Sequence, residues 1–577
     1  MILLVTLSAA CSSTAAPSTI TSAETSTTST TRAEGATTTV VTTSTTTAVI
    51  AVLPFDPLGA SILEIQEAMD AGRLTALELV DFYLARIAAY DDHGPMLNAL
   101  ITINPQARSE AAALDSERAA RGPRGPLHGI PIVLKDNMGT HDLPTTAGSV
   151  SLEGFIPLED AFQVARLRAA GAIIIAKTNL HEFARDITTV SSLGGQTRNP
   201  YDPSRNPGGS SGGTGAAVAA EFAVVGMGTD TCGSIRIPSA HNNLYGMRPT
   251  MGLSSRGGVI PLSFTEDTAG PLARHVSDLA IILDATVGVD PDDPTTVPVD
   301  ASYLEAVDPD GLEGMRIGVV DSLFGGAHPQ VEARVRAALA EMEAHGAQVV
   351  RVTIPNLDGL RGSAASIFLR EFRFALDGYF ADHPNAPVAS LAEIVAGGDY
   401  HPAVGGALQR ALAVSTLDTA DYRDALRRRD VVRDTIVAFM DDNDLDALAY
   451  PTIRQPAAPI GTDQSGSNCG TASVGGLPAI VLPAGFTSGG LPVGLELMGR
   501  PFSETTLIAI ASGYEAHTDH RMLPPTTPAI EEPEERTVGG AVCCPPPASG
   551  GGGSAEGRDG GGGGDSEGAR HEARLVF

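Results

Sequence analysis

The chain has 577 residues and a formal net charge of −30, and 42% of its residues are hydrophobic, ample for a large core. So acidic a balance argues against nucleic acid as a partner, because neutralising phosphates needs clustered Lys and Arg. No apolar run reaches roughly 18 residues, which excludes a spanning helix. The five cysteines show no paired C-x-x-C spacing, so neither a zinc site nor a disulfide framework is predicted. Among 38 basic residues only Lys135 and Lys177 are lysines. Where arginine is used almost everywhere else, a lysine in an apolar run points to a task arginine cannot perform.

In chain order, the apolar run of residues 1–10 ends at Cys11 and is followed by Ser/Thr-rich sequence. This pattern is similar to a bacterial lipoprotein signal (residues 1–11), with Cys11 as the acylated position. Residues 12–54 carry few large apolar side chains and read as a disordered stalk. Such an arrangement predicts an extracytoplasmic protein whose membrane contact runs through a lipid at Cys11. Residues 55–527 alternate helix and strand signals. Ile62 to Ala89 predicts two helices broken at Ala71-Gly72, and Gly129–Leu134 predicts a buried strand with Lys135 at its end. A helix over Asp160–Ala170 is stopped by Gly171, and Ala172–Ala176 follows as a strand. Ala216–Ala220 opens another helix, and Phe222–Val225 reads as a strand. Met315–Val320 and Gln348–Val352 are strands around a helix at 330–345. Leu477–Ala484 and Leu491–Met498 form a hairpin around Ser488-Gly489-Gly490. Alternation of this kind predicts one large α/β domain on a mixed sheet. From residue 528 onward the chain is a Gly-rich acidic tail containing Cys543 and Cys544.

The chemistry concentrates between Arg205 and Thr250. Asn206-Pro207-Gly208-Gly209-Ser210-Ser211-Gly212-Gly213-Thr214-Gly215 places several backbone N–H groups at a helix start. A phosphate loop would need Gly-Lys-Ser/Thr, which is absent. Gly208 to Gly212 satisfies G-x-S-x-G, but the apolar strand of a nucleophile elbow does not precede it. A second serine follows in Gly228-Thr229-Asp230-Thr231-Cys232-Gly233-Ser234-Ile235-Arg236. Together with Pro131-Ile132-Val133-Leu134-Lys135-Asp136-Asn137, these motifs resemble the amidase signature family of Ser–Ser–Lys amide hydrolases, over about residues 55–527. The stretch Pro261 to Pro271 is similar to peptide-amidase-like members.

The resemblance implies a mixed sheet flanked by helices on both faces, and no cofactor or metal. It implies Ser234 as nucleophile, Ser210 as bridging acid and base, Lys135 as the ultimate base, and a cis bond between Gly209 and Ser210. Backbone N–H groups of Thr231, Cys232, Gly233 and Ser234 are the candidate oxyanion donors. The chemistry agrees: a buried lysine can become neutral and accept a proton, whereas an arginine cannot. Cys232 stands where many members have glycine, and its side chain is expected to narrow the pocket as a thiol. Lys177 is assigned to structure, and Asp230 and Arg236 to holding the turn. His181-Glu182 lacks the second histidine of a zincin, His241 is expected to pack rather than to serve a triad, and Ser-x-x-Lys is absent.

These readings predict an amidase acting on a small-molecule or peptide amide, releasing a carboxylic acid and ammonia or amine. One alternative is the glutaminase component of a tRNA-dependent amidotransferase, which works with partner subunits. Another is a surface binding protein with a degenerate site.

Overall fold

The computed structural model describes residues 53–363 and 367–530. The expected signal with Cys11, the stalk up to residue 52, and the tail with Cys543 and Cys544 lie outside the described residues. The strands are β1 Leu100–Ile103, β2 Pro131–Lys135, β3 Ile173–Thr178, β4 Val190–Ser191, β5 Gly195–Gln196, β6 Val225–Asp230, β7 Tyr245–Arg248, β8 Thr268–Ala273, β9 Arg316–Val320, β10 Gln348–Val352, β11 Ala447–Pro451, β12 Ala479–Phe486 and β13 Pro492–Met498. Eleven of them form one sheet in the order β1-β3-β2-β6-β8-β7-β12-β13-β11-β9-β10, and β4 pairs with β5. Parallel pairs (β2 with β3 and β6, β9 with β10 and β11) alternate with antiparallel ones, so the sheet is mixed.

Each residue of β2, β3, β6, β8 and β13 is buried, on both faces of the pleat, so helices must cover both sides. The two N-terminal helices, Ile62–Asp70 and Ala76–Tyr90, both start on a capping box: Ser61 with Glu64, and Thr75 with Glu78. The break between them falls at Ala71-Gly72, as the sequence predicts. The expected helix before Gly171 spans Phe162–Ala169, and the 330–345 helix spans Pro329–Ala344. A second apolar cluster lies under the helices Ile367–Asp382, Leu391–Gly397 and Pro402–Leu412, around Phe155, Phe183, Phe372 and Leu376. Arg86 pins the end of the domain by donating to the carbonyls of Thr527 and Pro528. Among the described residues no helix is long and apolar enough to cross a membrane.

Three expectations need correction. The helix read from Ala216 starts at Gly212, inside the glycine run, and ends at Ala219. The strand read at Phe222–Val225 instead runs from Val225 through Gly226, Gly228 and Thr229 to Asp230. Both shifts have one cause. This helix lies against this strand so closely that a Cβ on Gly226 would sit 2.5 Å from Thr214 Cγ2, and one on Gly228 2.8 Å from Ser211 Oγ. Glycine is there for close approach, not for a turn. The expectation of no disulfide is overturned as well: Cys232 and Cys469 are bonded across 237 residues of sequence, a connection no local spacing displays.

Candidate active site

Lys135 ends β2, whose neighbours on either side are β3 and β6, in register at Lys135–Thr178 and Leu134–Met227. That position at the strand end aims its side chain toward the start of the Gly212–Ala219 helix, where Ser210 sits. Lys135 Nζ lies 2.7 Å from Ser210 Oγ and 2.7 Å from Thr229 Oγ1. Asn137 Nδ2 donates to the same Thr229 hydroxyl and to the Ile260 carbonyl, both at 3.2 Å. The Gly209–Ser210 peptide bond is cis. Thr189 steadies this loop: its hydroxyl donates to the Gly208 carbonyl at 2.7 Å and accepts from the Gly212 N–H at 3.1 Å.

The two lysines differ in the partner each has. Lys177 Nζ is 3.2 Å from the Asp136 carboxylate, with both side chains fully buried, and 2.7 Å from Thr145 Oγ1. It is a structural ion pair. Lys135 is equally buried but touches only hydroxyls and a carbonyl. Burial without a contacting carboxylate pulls its pKa down to about 7, against weak upward pulls from Asp267 and Asp230. It is therefore poised to exchange a proton near neutral pH.

Ser234 lies in the turn between β6 and the short helix Arg236–His241, and only 4% of it is exposed. The turn reaches the Ser210 loop through the Ser211 N–H, which donates to the Ser234 carbonyl at 3.1 Å. The hydroxyls of Ser210 and Ser234 are not hydrogen-bonded to each other; Ser210 Oγ is engaged by Lys135. Beneath the turn lies Asp230, fully buried. It accepts from the Gly233 N–H at 2.7 Å, from Arg236 Nε at 3.0 Å and from Arg248 Nη1 at 2.9 Å. Burial alone would raise its pKa, but Arg236 and Arg248 hold its carboxyl well below the usual range. Arg236 also donates to Glu496, to the Cys469 carbonyl and to Ser473 Oγ. Asp230 and Arg236 thus hold the turn, as the sequence suggests.

One oxyanion assignment changes. The Gly233 N–H is committed to Asp230 Oδ1, so it is not free for a developing oxyanion. The N–H groups of Thr231, Cys232 and Ser234 make no hydrogen bond among the described residues, and they remain available. Nor is Cys232 a thiol that narrows the pocket; its sulfur is bonded to Cys469. Asp267 also supports the turn. It accepts from the Thr231 hydroxyl at 2.5 Å and from the N–H groups of Leu262 and Ser263, both at 2.8 Å.

Sequence reasoning assigned no role to Thr229, Asn137, Asp267 or Cys469. Thr229, Asn137 and Asp267 stand inside the quoted motifs; Cys469 carries no local signal. His241 is buried, and neither ring nitrogen bonds a serine hydroxyl or a carboxylate, so it serves no triad. Among the described residues, His141, Asp142 and Asp160 bring ligand atoms close enough together for a metal. Arg168 already binds both of their carboxylates, at 2.6 and 3.2 Å. Two cavities border the site, and neither is lined by Lys135, Ser210 or Ser234. One of about 570 Å³ is lined by Cys232, Cys469, Arg361, Arg454 and Phe368, and one of about 900 Å³ by Thr229, Asp267, Phe264 and Tyr379.

Known proteins share this arrangement at the level of the whole domain. The Amidase family pattern matches residues 78–508. The solved peptide amidase of Stenotrophomonas maltophilia is 41% identical, with a TM-score of 0.76 over 80% of this chain and 98% of that one. A glutamyl-tRNA(Gln) amidotransferase subunit from Roseiflexus sp. (strain RS-1) is 37% identical over 80% of this chain and 98% of its own. The solved amidotransferase subunit of the same name from Thermotoga maritima is 27% identical, with a TM-score of 0.66 over 83% of this chain and 99% of that one. With a family pattern spanning most of the domain and relatives matched over nearly their full length, the chain belongs to the amidase family of hydrolases acting on carbon–nitrogen bonds.

Proposed function

We propose that the chain hydrolyses a carboxamide or related linear amide to a carboxylic acid and ammonia or amine, through an acyl-enzyme on Ser234. The observation that carries this reading is the wholly buried Lys135 amine, 2.7 Å from Ser210 Oγ and without a carboxylate partner. Neutral Lys135 accepts a proton from Ser210, which takes one from Ser234 as Ser234 Oγ bonds to the amide carbon. Free N–H groups of Thr231, Cys232 and Ser234 stabilise the oxyanion. The proton returns through Ser210 to the leaving nitrogen and the C–N bond breaks. Water then attacks the ester through the same relay and releases the acid. Thr229 orients the lysine. Similarity to a peptide amidase at 41% identity supports small-molecule or peptide carboxamides as the substrate class.

A second reading, the glutaminase component of a tRNA-dependent amidotransferase, is supported by amidotransferase relatives at 37% and 39% identity. The Cys232–Cys469 disulfide weighs against it, because such bonds persist in oxidising compartments rather than the cytosol. The same bond supports an extracytoplasmic location; the reading of Cys11 as lipidated and residues 12–54 as a tether rests on the sequence pattern alone. Mass spectrometry of the mature N-terminus tests that location: an intact, unlipidated Met1 refutes it.

Hydrolysis assays of the full chain on aliphatic carboxamides, peptide C-terminal amides and glutamine decide the function. Turnover by the chain alone supports the amidase. Glutamine hydrolysis only with partner subunits and tRNA supports the second reading. No turnover, with no reaction of Ser234 toward a fluorophosphonate, leaves a degenerate binding protein.

A further inference from the structure

The turn Thr231–Ser234 is held unevenly. The Thr231 hydroxyl bonds Asp267, and the Thr231 carbonyl accepts from Arg248 at 3.5 Å. Gly233 bonds Asp230 through its N–H, and its carbonyl accepts from the Ile237 N–H at 2.7 Å. Ser234 accepts from the Ser211 N–H. Among the described residues Cys232 makes no backbone hydrogen bond in either direction; its one tie is the bond from its sulfur to Cys469. Yet its N–H is one of the three left free beside the nucleophile.

The anchor at the other end is firm. Cys469 precedes the short helix Gly470–Ser473, its carbonyl accepts from Arg236 Nη2 at 3.2 Å, and its N–H donates to Ser467 Oγ at 3.1 Å. It also packs directly on the turn: a Cβ on Gly233, whose φ is +89°, would lie 2.8 Å from Cys469 Cβ. The Arg236–Asp230 pair lies beneath, independent of the sulfurs. Breaking the S–S bond leaves these hydrogen bonds and ion pairs in place; it lowers overall stability by opening a loop of 237 residues, and at the turn it frees the peptide at Cys232. Both cysteines are half-buried and line the cavity of about 570 Å³, so a small reductant can reach them.

We propose that the Cys232–Cys469 disulfide is a positioning element of the oxyanion site, fixing the Cys232 N–H toward the substrate carbonyl, and that its reduction suppresses turnover reversibly. The inference rests on the Ser234 acyl-enzyme reading given above. A dithiol supplies the two electrons and two protons: the S–S bond breaks, both cysteines become thiols, and the reductant closes to its own disulfide. Removing one oxyanion donor lowers kcat by roughly 10²–10³, so loosening one predicts a fall of roughly 10- to 100-fold. KM should stay within about twofold, because the donor acts on the transition state rather than on ground-state binding.

The test uses the full chain, oxidised, reduced with dithiothreitol, and reoxidised, with the state of Cys232 and Cys469 read by alkylation and peptide mapping. The expected result is loss of kcat on reduction, recovery on reoxidation, and a Cys469→Ala variant that starts low and ignores reductant. Unchanged kcat with the bond shown broken overturns the inference, as does a change confined to KM. Should Cys469→Ala not fold, the reduction and reoxidation of the wild type decide alone. An oxidised wild type that neither turns over amides nor reacts at Ser234 overturns the function proposed above, and this inference with it.

Discussion

Replacing Lys135 with methionine should remove activity while leaving the protein at least as stable near neutral pH. The lysine is wholly buried, and its pKa falls from an ordinary 10.5 to about 7. That gap corresponds to about 5 kcal/mol by which folding is penalised below pH 7, where both folded and unfolded lysine are protonated. Between pH 7 and 10.5 the unfolded chain binds more protons than the folded one, so stability rises with pH and the penalty fades. Methionine of similar volume escapes the penalty. It leaves Ser210 Oγ without its partner, at roughly 1–3 kcal/mol, while Thr229 Oγ1 keeps the Asn137 amide. At pH 6 the variant should therefore be about 2–4 kcal/mol more stable. For a domain of about 480 residues, 1 kcal/mol moves Tm by about 1 °C. The difference in Tm between variant and wild type should therefore fall by about 4 °C from pH 6 to pH 10, measured by scanning calorimetry at one scan rate. A difference that does not vary with pH, or a variant that still turns over amide, refutes the buried neutral-base reasoning.

Three further outcomes are expected. The wild-type kcat/KM should rise with pH through about 7 and fall about tenfold per pH unit below it, because only neutral Lys135 accepts the proton; a profile flat from pH 5 to 9 contradicts this. Thr229→Val should lower kcat about tenfold and shift that midpoint downward, since the lost hydroxyl steadies the charged amine; an upward shift contradicts it. Gly226→Ala places a methyl 2.5 Å from Thr214 Cγ2, so it should destabilise by about 1–3 kcal/mol and reduce kcat by moving the Ser210 helix off β6; a variant of unchanged Tm and activity contradicts the close packing.

What the sequence displayed was what local pattern encodes. Lys135 stood out as one of two lysines ending an apolar run, and β2 and β3 are continuous apolar strands because both of their faces are covered. The hairpin of β12 and β13 was legible from its Ser-Gly-Gly turn. Around Ser210 and Thr229 the local signal misled. Gly226 and Gly228 depress strand propensity, yet the strand needs them because the helix rests on it. The helices from Leu357 to Asp442, of which Ile367–Asp382, Leu391–Gly397 and Pro402–Leu412 cover the second apolar cluster, follow no sequence motif. The Cys232–Cys469 bond and the Asp267 support join positions remote in sequence, and only the folded chain brings them together.

Peptide mapping of the fluorophosphonate-treated full chain shows whether Lys135 activates Ser234 through Ser210. The adduct should fall on Ser234, and its rate of formation should drop at least 100-fold in Lys135→Arg, where the guanidinium cannot accept a proton. An adduct at another residue, or an arginine variant that reacts as fast as the wild type, would contradict that activation.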